Sequence, residues 1–337
     1  MISKRLVLIS IVVGILSGSG AFIFYILTDL LTELFLEGLG GFQPPRAGGE
    51  VGLELDMPTF HIPLWLIPAI GGLISGLIVY SLAPEAEGHG TDAVIRAFHR
   101  FRGVIKARIP IIKMLASAIT IGSGGSAGRE GPIAQIGAGF GSLIATLLRL
   151  SDSERRMLLI AGMAGGIGSI FRSPLGGAIY AVEVLYKKDY EVEAVIPAFI
   201  SSITAYIIFI TLIGSNDHIF ITPEVKIYNL LEIPLYLILG ILSAVVAIIY
   251  IKIFYTIHNI FKRLKISNYL KPAIGGLITG IIGIFIPQAL GMGYGYVQEV
   301  IDGKIVLDII ILAIFGKILA TAFTVGSVEV VEFLDQL

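Results

Sequence analysis

The chain has 337 residues and a formal net charge of −1, with charged side chains at only 15% of positions and hydrophobic ones at 55%. A soluble domain carries about 25% charged residues, so this composition indicates a membrane protein. The near-neutral charge argues against a nucleic-acid partner, and the absence of cysteine excludes disulfides and zinc–thiolate sites.

Long uncharged runs predict membrane-spanning helices, because about 20 apolar residues cross the hydrocarbon core of a bilayer. Four runs contain at least 23 residues each: Leu6–Thr28, Ile62–Pro84, Ala194–Asn216 and Pro272–Gln298. The first run follows Lys4 and Arg5, as the apolar region of a signal peptide would, but it is too long for one and further spans follow. We therefore interpret it as a retained helix.

Three shorter apolar segments of 15 to 18 residues are interrupted by glycine, proline or single charges: Met114–Gly128, Gly131–Leu148 and Met157–Phe171. Such segments often mark helices that end inside the membrane of a transporter. With these, the chain contains roughly ten hydrophobic segments. The pattern predicts an all-α polytopic protein that crosses a cell membrane several times.

The basic loops predict the orientation, because lysine and arginine are enriched on the cytoplasmic side. Four clusters belong there, and they lie at residues 4–5, 96–108, 187–188 and 262–271. The acidic loops 29–56 and 214–232 then face outward. Arg149, Arg155 and Arg156 fit this orientation less well.

The sequence contains an internal repeat of three blocks in the same order. PAIGGLISGLI at 68–78 returns as PAIGGLITGII at 272–282, GHGTDAV at 88–94 as GMGYGYV at 291–297, and KMLASAITIGS at 113–123 as KILATAFTVGS at 317–327. Two copies predict a repeat-built transporter with its site between them, inverted if an odd number of crossings separates the copies. We expect a first repeat at 1–213, an extracytoplasmic linker at 214–231 and a second repeat at 232–337.

The second copy stops early. After Ser123 the first copy continues with GGSAGREGP and further membrane segments, whereas Ser327 is followed by VEVVEFLDQL, which is acidic and contains no glycine. We expect an incomplete second repeat, which a truncation, a frameshift or a naturally shortened protein would each explain.

Two glycine-rich loops are candidates for binding an anion. A helix that begins inside the membrane presents unpaired N–H groups and the positive end of its dipole, and close approach of an anion to them requires glycine. The loops GHGTD and GREGP precede apolar helices, and neither has the GxxxxGK[ST] pattern that a nucleotide phosphate would need. The candidate anion-binding residues are Gly88, His89, Gly90, Gly128, Arg129 and Gly131.

Glu130 lies inside the second loop, and two interpretations of it remain open. In one, it is an acid at a helix start, paired with Arg129 or favoured by the helix dipole. In the other, it is a gating carboxylate that occupies the anion site when charged and swings aside when protonated, since ionisable groups at membrane depth are functional candidates.

These residues resemble the CLC family of chloride channels and proton-coupled chloride transporters. GREGP at 128–132 matches the family signature, whose gating glutamate falls on Glu130, and GHGTDAV falls on the first anion-binding loop. SPLGGAIYAVEVLY at 173–186 is similar to a family segment that ends in one or two glutamates, and the resemblance covers residues 5–327. It implies an inverted repeat with broken helices, a homodimer with one pore per subunit, and chloride held by backbone amides of both loops.

The chain departs from the family pattern at three places. His89 stands where serine is usual, and it either donates to the anion or faces the cytoplasm. Val184 stands where proton-coupled members carry an inner glutamate, so that Glu183 is the remaining candidate inner acid, expected to pair with a basic group. The family's third anion loop, of GxFxP type, and a later coordinating tyrosine have no counterpart.

The resemblance implies voltage- or pH-gated chloride transport, gated by Glu130, in a passive channel or a proton/chloride antiporter. The alternative is a non-transporting fragment that lacks the third anion loop. We expect no enzymatic activity, catalytic residue, cofactor or metal site. The expected partners are chloride or a related anion, protons, the lipid bilayer and a second copy of the chain.

Overall fold

The structure is a computed structural model that describes residues 4–52, 62–215, 217–224 and 232–328. These residues form twelve α-helices and no β-strand, so the all-α prediction is confirmed. In chain order the helices are α1 (Lys4–Thr32), α2 (Ile67–Leu82), α3 (Thr91–Arg100), α4 (Arg108–Gly122), α5 (Glu130–Leu147), α6 (Asp152–Ile170), α7 (Pro174–Glu183), α8 (Val195–Ile213), α9 (Ile233–Arg263), α10 (Lys271–Phe285), α11 (Tyr294–Ile301) and α12 (Leu307–Gly326).

Five helices in the described part of the chain are long and apolar enough to cross a membrane, namely α1, α2, α8, α9 and α12. The multi-pass prediction is therefore confirmed. Helix α9 has 31 residues but is absent from the four long runs above. Its sequence is divided by Lys252, so its uncharged part is shorter than those runs.

One predicted span is wrong, because the run Pro272–Gln298 is not a single helix. Helix α10 ends at Phe285, a 3₁₀ turn occupies Pro287–Ala289, and α11 begins only at Tyr294. Ile286 has φ −135° and ψ 77°, since a residue before proline is disfavoured in the helical region. Hydropathy does not detect this break because every residue in it is uncharged.

One of the three shorter segments, Met114–Gly128, contains a break between helices, whereas the other two lie almost wholly within the continuous helices α5 and α6. Met114–Gly128 contains the end of α4 at Gly122, after which residues 123–129 form a loop that is largely buried. Helix α5 then starts directly after this loop, at Glu130. A largely buried loop between two helices places the start of α5 inside the protein.

A two-fold relation between the copies is visible where α2 packs against α10. A Cβ on Gly72 would lie 2.3 Å from the carbonyl oxygen of Pro272, and a Cβ on Gly276 would lie 2.1 Å from that of Pro68. Since Pro68 and Gly72 correspond to Pro272 and Gly276 in the repeat, each copy makes the same contact with the other. Such reciprocal contacts are the property of an interface around a two-fold axis.

The two copies are inverted, because the C-terminal ends of the equivalent helices α3 and α11 lie near opposite ends of α6. Beyond the end of α3, Arg102 lies 3.7 Å from Asp152 at the start of α6. Beyond the other end of α6, Arg172 Nη1 donates to the carbonyl oxygen of Gly49 at 2.9 Å. The backbone N–H of the neighbouring Gly48 donates at 3.4 Å to Oε1 of Gln298 in α11. Helix α11 therefore ends on the face opposite to the end of α3.

One face of the protein is basic, and we call it the basic face. There Lys106 and Arg108 both bind the Glu85 carboxylate. The hydrogen bond from Lys106 holds the pKa of that carboxyl below its usual value, although burial opposes the shift. Gly103 lies against the backbone of Arg156. Arg156 therefore lies beside the 96–108 cluster, so this one of the three predicted exceptions fits the expected orientation.

Helices α5 and α6 pack backbone to backbone. A Cβ on Gly137 would lie 2.2 Å from the carbonyl oxygen of Gly162, and a Cβ on Gly162 would lie 2.1 Å from that of Gly137. Small residues allow membrane helices this close approach. Helix α6 also packs on α1, α7 and α8, and residues 131–139 of α5 are all buried. This packing fixes the first turns of α5 within the core.

Candidate functional site

The two glycine loops predicted from the sequence contact each other. Gly90 has φ +113°, and a Cβ on it would lie 2.4 Å from the carbonyl oxygen of Gly131. In return, a Cβ on Gly131 would lie 2.2 Å from the carbonyl oxygen of His89. Only glycine fits both positions without displacing backbone, and the loops before α3 and α5 therefore converge.

The N-termini of α3 and α5 have no side-chain cap. Neither N-cap residue, Gly90 or Arg129, makes a side-chain hydrogen bond to its helix. Helix α6 differs, since Ser151 and Glu154 form a complete capping box there. The first-turn amides of an uncapped helix remain available as donors, and they favour negative charge.

Both N-termini border one cavity of about 460 Å³. Its lining includes Gly88, His89, Gly128 and Glu130 from the two loops, and Thr321 from the second repeat. The cavity therefore lies between the repeats, where the sequence places the site. Four predicted site residues line it directly.

Glu130 is the first residue of α5 and is exposed to this cavity. Its side chain folds back over the loop, so that a Cβ on Gly128 would lie only 1.9 Å from Glu130 Oε2. The other oxygen, Oε1, accepts a hydrogen bond from the Tyr294 hydroxyl at 3.2 Å. The carboxylate thus lies beside the amides that would bind an anion.

Arg129 does not pair with Glu130. Its guanidinium is fully buried, donates from Nη2 to Glu50, and lies 5.4 Å from the ring centroid of Tyr25 and 5.0 Å from that of Tyr294. The interpretation of Glu130 as a partner of Arg129 is therefore wrong. Arg129 lies instead in a separate pocket with Glu50 and is not among the residues that line the cavity.

Two lysines bind the loops in the same way, one in each repeat. Lys113 Nζ donates to the carbonyl oxygens of Ala86 at 3.1 Å and Gly88 at 2.5 Å. Its equivalent, Lys317, donates from Nζ to the carbonyl oxygens of Ala289 at 3.3 Å and Gly291 at 2.5 Å. Each ammonium therefore fixes the loop that precedes α3 or α11.

His89 and Glu183 have different surroundings. His89 Nδ1 would lie 2.6 Å from a Cβ on Gly131, so this side chain lies at the contact of the two loops. Glu183 is exposed at the end of α7, in a surface cavity that Lys187 and Lys188 also line. Within the described ranges Glu183 makes no ion pair, so the expected pairing with a basic group is not observed. Most of the acidic tail, 329–337, lies outside those ranges.

Sequence reasoning missed three contributors to the site. Lys113 and Lys317 open the third repeated block, and a charge inside an otherwise apolar helix would have singled them out. Tyr294 falls within the second repeated block, but its contact with Glu130 joins residues 164 positions apart. No signal in one sequence predicts that contact.

Comparison with known proteins shows which family the chain resembles. The model of the family described as voltage gated chloride channel matches residues 71–329. An uncharacterised protein of Methanocaldococcus jannaschii is 35% identical over 262 residues, which are 78% of this chain and 65% of that protein. A putative chloride channel protein, ClcB-like, of Ralstonia nicotianae is 29% identical over 88% of this chain and 70% of its own length.

Other relatives are named as transporters. The H(+)/Cl(−) exchange transporter ClcA of Vibrio parahaemolyticus is 29% identical over 79% of this chain and 59% of its own length. The chain thus spans between 59% and 70% of these curated relatives.

Solved structures show the same fold. A slow cyanobacterial Cl−/H+ antiporter matches with a TM-score of 0.77 and 21% identity, over 97% of this chain and 75% of its own. A CLC-type fluoride/proton antiporter matches with a TM-score of 0.80 and 21% identity, over 96% of this chain and 75% of its own. The inverted-repeat architecture with broken helices is therefore that of these transporters.

Proposed function

Because the chain belongs to the voltage gated chloride channel family, we propose that it moves chloride or a related anion across a membrane, with Glu130 as the gate. The observation that carries the proposal is the contact between the two glycine loops, which brings the N-termini of α3 and α5 to one cavity. Unpaired amides at helix N-termini are ready anion sites, and membrane transporters use broken helices for this purpose.

The gating step follows from the position of the Glu130 carboxylate. When it is charged, it lies over the 128–131 loop and competes with an anion for the same donors. When it is protonated, it loses its attraction to the positive helix end, and an anion takes its place. Anion movement should therefore increase as the pH falls. The rate of anion movement would then also depend on voltage, because each anion moves its charge across the membrane through this site.

Chloride is the anion to test first. The ClcB-like relative is named a putative chloride channel, the Vibrio relatives exchange H(+) for Cl(−), and one solved neighbour is a fluoride/proton antiporter. Fluoride is accordingly the second anion to test. The two loops provide backbone donors, which bind either halide.

Proton coupling is the second part of the proposal, and Val184 bears on it. This residue is half-buried at the C-cap of α7, and its side chain holds no proton. A coupled antiporter with this sequence therefore needs a proton route that does not pass through position 184. Under a pH gradient, a reversal potential that departs from the chloride equilibrium value supports coupling, whereas one fixed at that value supports a passive channel.

Chloride efflux from liposomes tests the proposed function. We expect the chain to release chloride faster than protein-free liposomes, and Glu130→Ala to release it faster still because no side chain competes for the donors. Glu193→Ala is the matched control, since Glu193 is exposed and lies outside the cavity. Efflux equal to that of empty liposomes for both the native chain and Glu130→Ala would contradict the proposal.

A cell-membrane location and a homodimer complete the proposal. Both come from the family resemblance, and each subunit would hold its own path. Sedimentation of the detergent-solubilised chain measures its mass, and we expect twice the mass of one chain. A mass of one chain would contradict the homodimer.

A further inference from the structure

The second repeat presents a tyrosine to Glu130 at the place where the first repeat presents its anion loop. In the repeated block, Tyr294 corresponds to Thr91, and each is the first residue of its helix. The loop before Tyr294 is fixed by the Lys317 ammonium, as the loop before Thr91 is fixed by Lys113. Equivalent lysine–carbonyl hydrogen bonds thus position a threonine in the first repeat and a tyrosine in the second.

Tyr294 is held on several sides. Its hydroxyl donates to Glu130 Oε1 at 3.2 Å. Its ring lies 5.0 Å from the buried guanidinium carbon of Arg129 and makes an edge contact with the ring of Phe220 at 5.7 Å. Arg129 is fixed in turn by Glu50. A ring held in this way keeps its hydroxyl in one place, so the hydroxyl has a defined direction toward Glu130.

We propose that Tyr294 is a positioning residue that holds the charged Glu130 carboxylate over the 128–131 loop. The proposal rests on the proposed function, in which this carboxylate is the gate. A hydroxyl donor favours the charged form of a carboxylate, because the protonated form accepts the hydrogen bond less strongly. With the tyrosine present, the gate therefore opens at a lower pH than it would if Glu130 had no such donor.

Other titratable groups also face Glu130 or line its cavity. They are Glu87, His89, Asp92, Lys113, Tyr180, Tyr250, Tyr255 and Lys317. None of these is changed when only the Tyr294 hydroxyl is removed. The Tyr294→Phe variant therefore isolates the effect of one donor.

The test is the pH profile of chloride efflux for Tyr294→Phe in the full chain. We expect its midpoint to move upward by about one pH unit, the size expected for one hydrogen bond to a charged group. Tyr296→Phe is the matched control, because Tyr296 lies on the same helix and makes no contact with Glu130. Its midpoint should equal that of the native chain.

Two further arms separate this proposal from the function on which it rests. In a Glu130→Gln background, Tyr294→Phe should change nothing, because no carboxylate remains to be held. An unmoved midpoint for Tyr294→Phe, in a chain whose pH dependence Glu130→Gln abolishes, would overturn the role of Tyr294 and leave the gate intact. A pH dependence that survives Glu130→Gln would overturn the gate itself.

A fluorinated tyrosine at position 294 covers the case in which the phenylalanine variant does not fold. Fluorine makes the hydroxyl a stronger donor without changing the shape of the ring. We expect the midpoint to move downward, opposite to Tyr294→Phe. A midpoint that stays in place with the fluorinated residue would equally overturn the proposal.

Discussion

The contact between the two glycine loops makes Gly90→Ala the most informative single substitution. The alanine has to adopt φ +113°, which residues with a side chain rarely take. Its methyl group would lie 2.4 Å from the carbonyl oxygen of Gly131. Either the 88–90 loop moves away from α5 or the strain is retained. Both outcomes disturb the place where the amides of α3 and α5 converge.

The size of the effect can be worked from these two contributions. A residue with a side chain in such a backbone conformation costs about 1–3 kcal/mol. Inserting a methyl group against fixed backbone costs about 1–3 kcal/mol more. We therefore expect the free energy of unfolding to fall by about 2–6 kcal/mol. If the loop moves instead, chloride binding weakens by about tenfold for each 1.4 kcal/mol of lost interaction.

Gly303→Ala is the matched control for this experiment. Gly303 also has a positive φ, +70°, but nothing lies within 4 Å of a Cβ placed on it. It therefore lacks the contact and carries a smaller backbone cost, because φ +70° lies close to the left-handed region that side chains can adopt. The assay is denaturant unfolding in detergent, followed by chloride titration of the folded fraction. If Gly90→Ala loses no more stability and no more chloride affinity than Gly303→Ala, the contact between the loops is not what forms the site.

Other substitutions test the supports of the site with the same unfolding assay. Lys113→Met leaves two carbonyls without a donor and should lower the free energy of unfolding by about 2–4 kcal/mol. Lys317→Met should lower it by as much, and the two losses should add because each lysine binds the loop of its own repeat. Glu50→Gln leaves the buried Arg129 guanidinium without a counter-charge and should cost about 3–5 kcal/mol, whereas a neutral result would contradict the buried pair. The lowered pKa of Glu85 makes its ion pair stabilising above 4.5 and lost as the pH falls through the folded value. The free energy of unfolding of the native chain should therefore exceed that of Glu85→Gln by about 0.5 kcal/mol near pH 7, a small value because solvent screens this partly exposed pair. The difference should shrink as the pH falls below 4.5.

The repeat was predictable from sequence because the same contacts recur in both copies. Gly72 and Gly276 lie at backbone-to-backbone contacts, so neither position accepts a side chain and the motif is preserved in both blocks. The loop at Glu130 was predictable for a related reason. Glycine and proline around a single acid in an apolar segment indicate a break between helices at that acid.

The partners of the site residues were not predictable in this way. Arg129 and Glu50 are 79 positions apart, and nothing local favours that pair over the adjacent Glu130. The break before Tyr294 was hidden within an uncharged run, although the repeat itself aligned that run with the 88–94 loop. Hydropathy detects where a helix could span a membrane, whereas a break made by Pro287 depends on backbone geometry.

Chloride binding measured by calorimetry over a range of pH tests the central claim most directly, because it reports the competition for the amide donors without transport. For the native chain, we predict an affinity that rises as the pH falls and the Glu130 carboxylate takes up its proton. For Glu130→Gln, we predict a tighter affinity that does not change with pH. The same pH dependence in both proteins would contradict the account, since the acid would then not be competing with the anion.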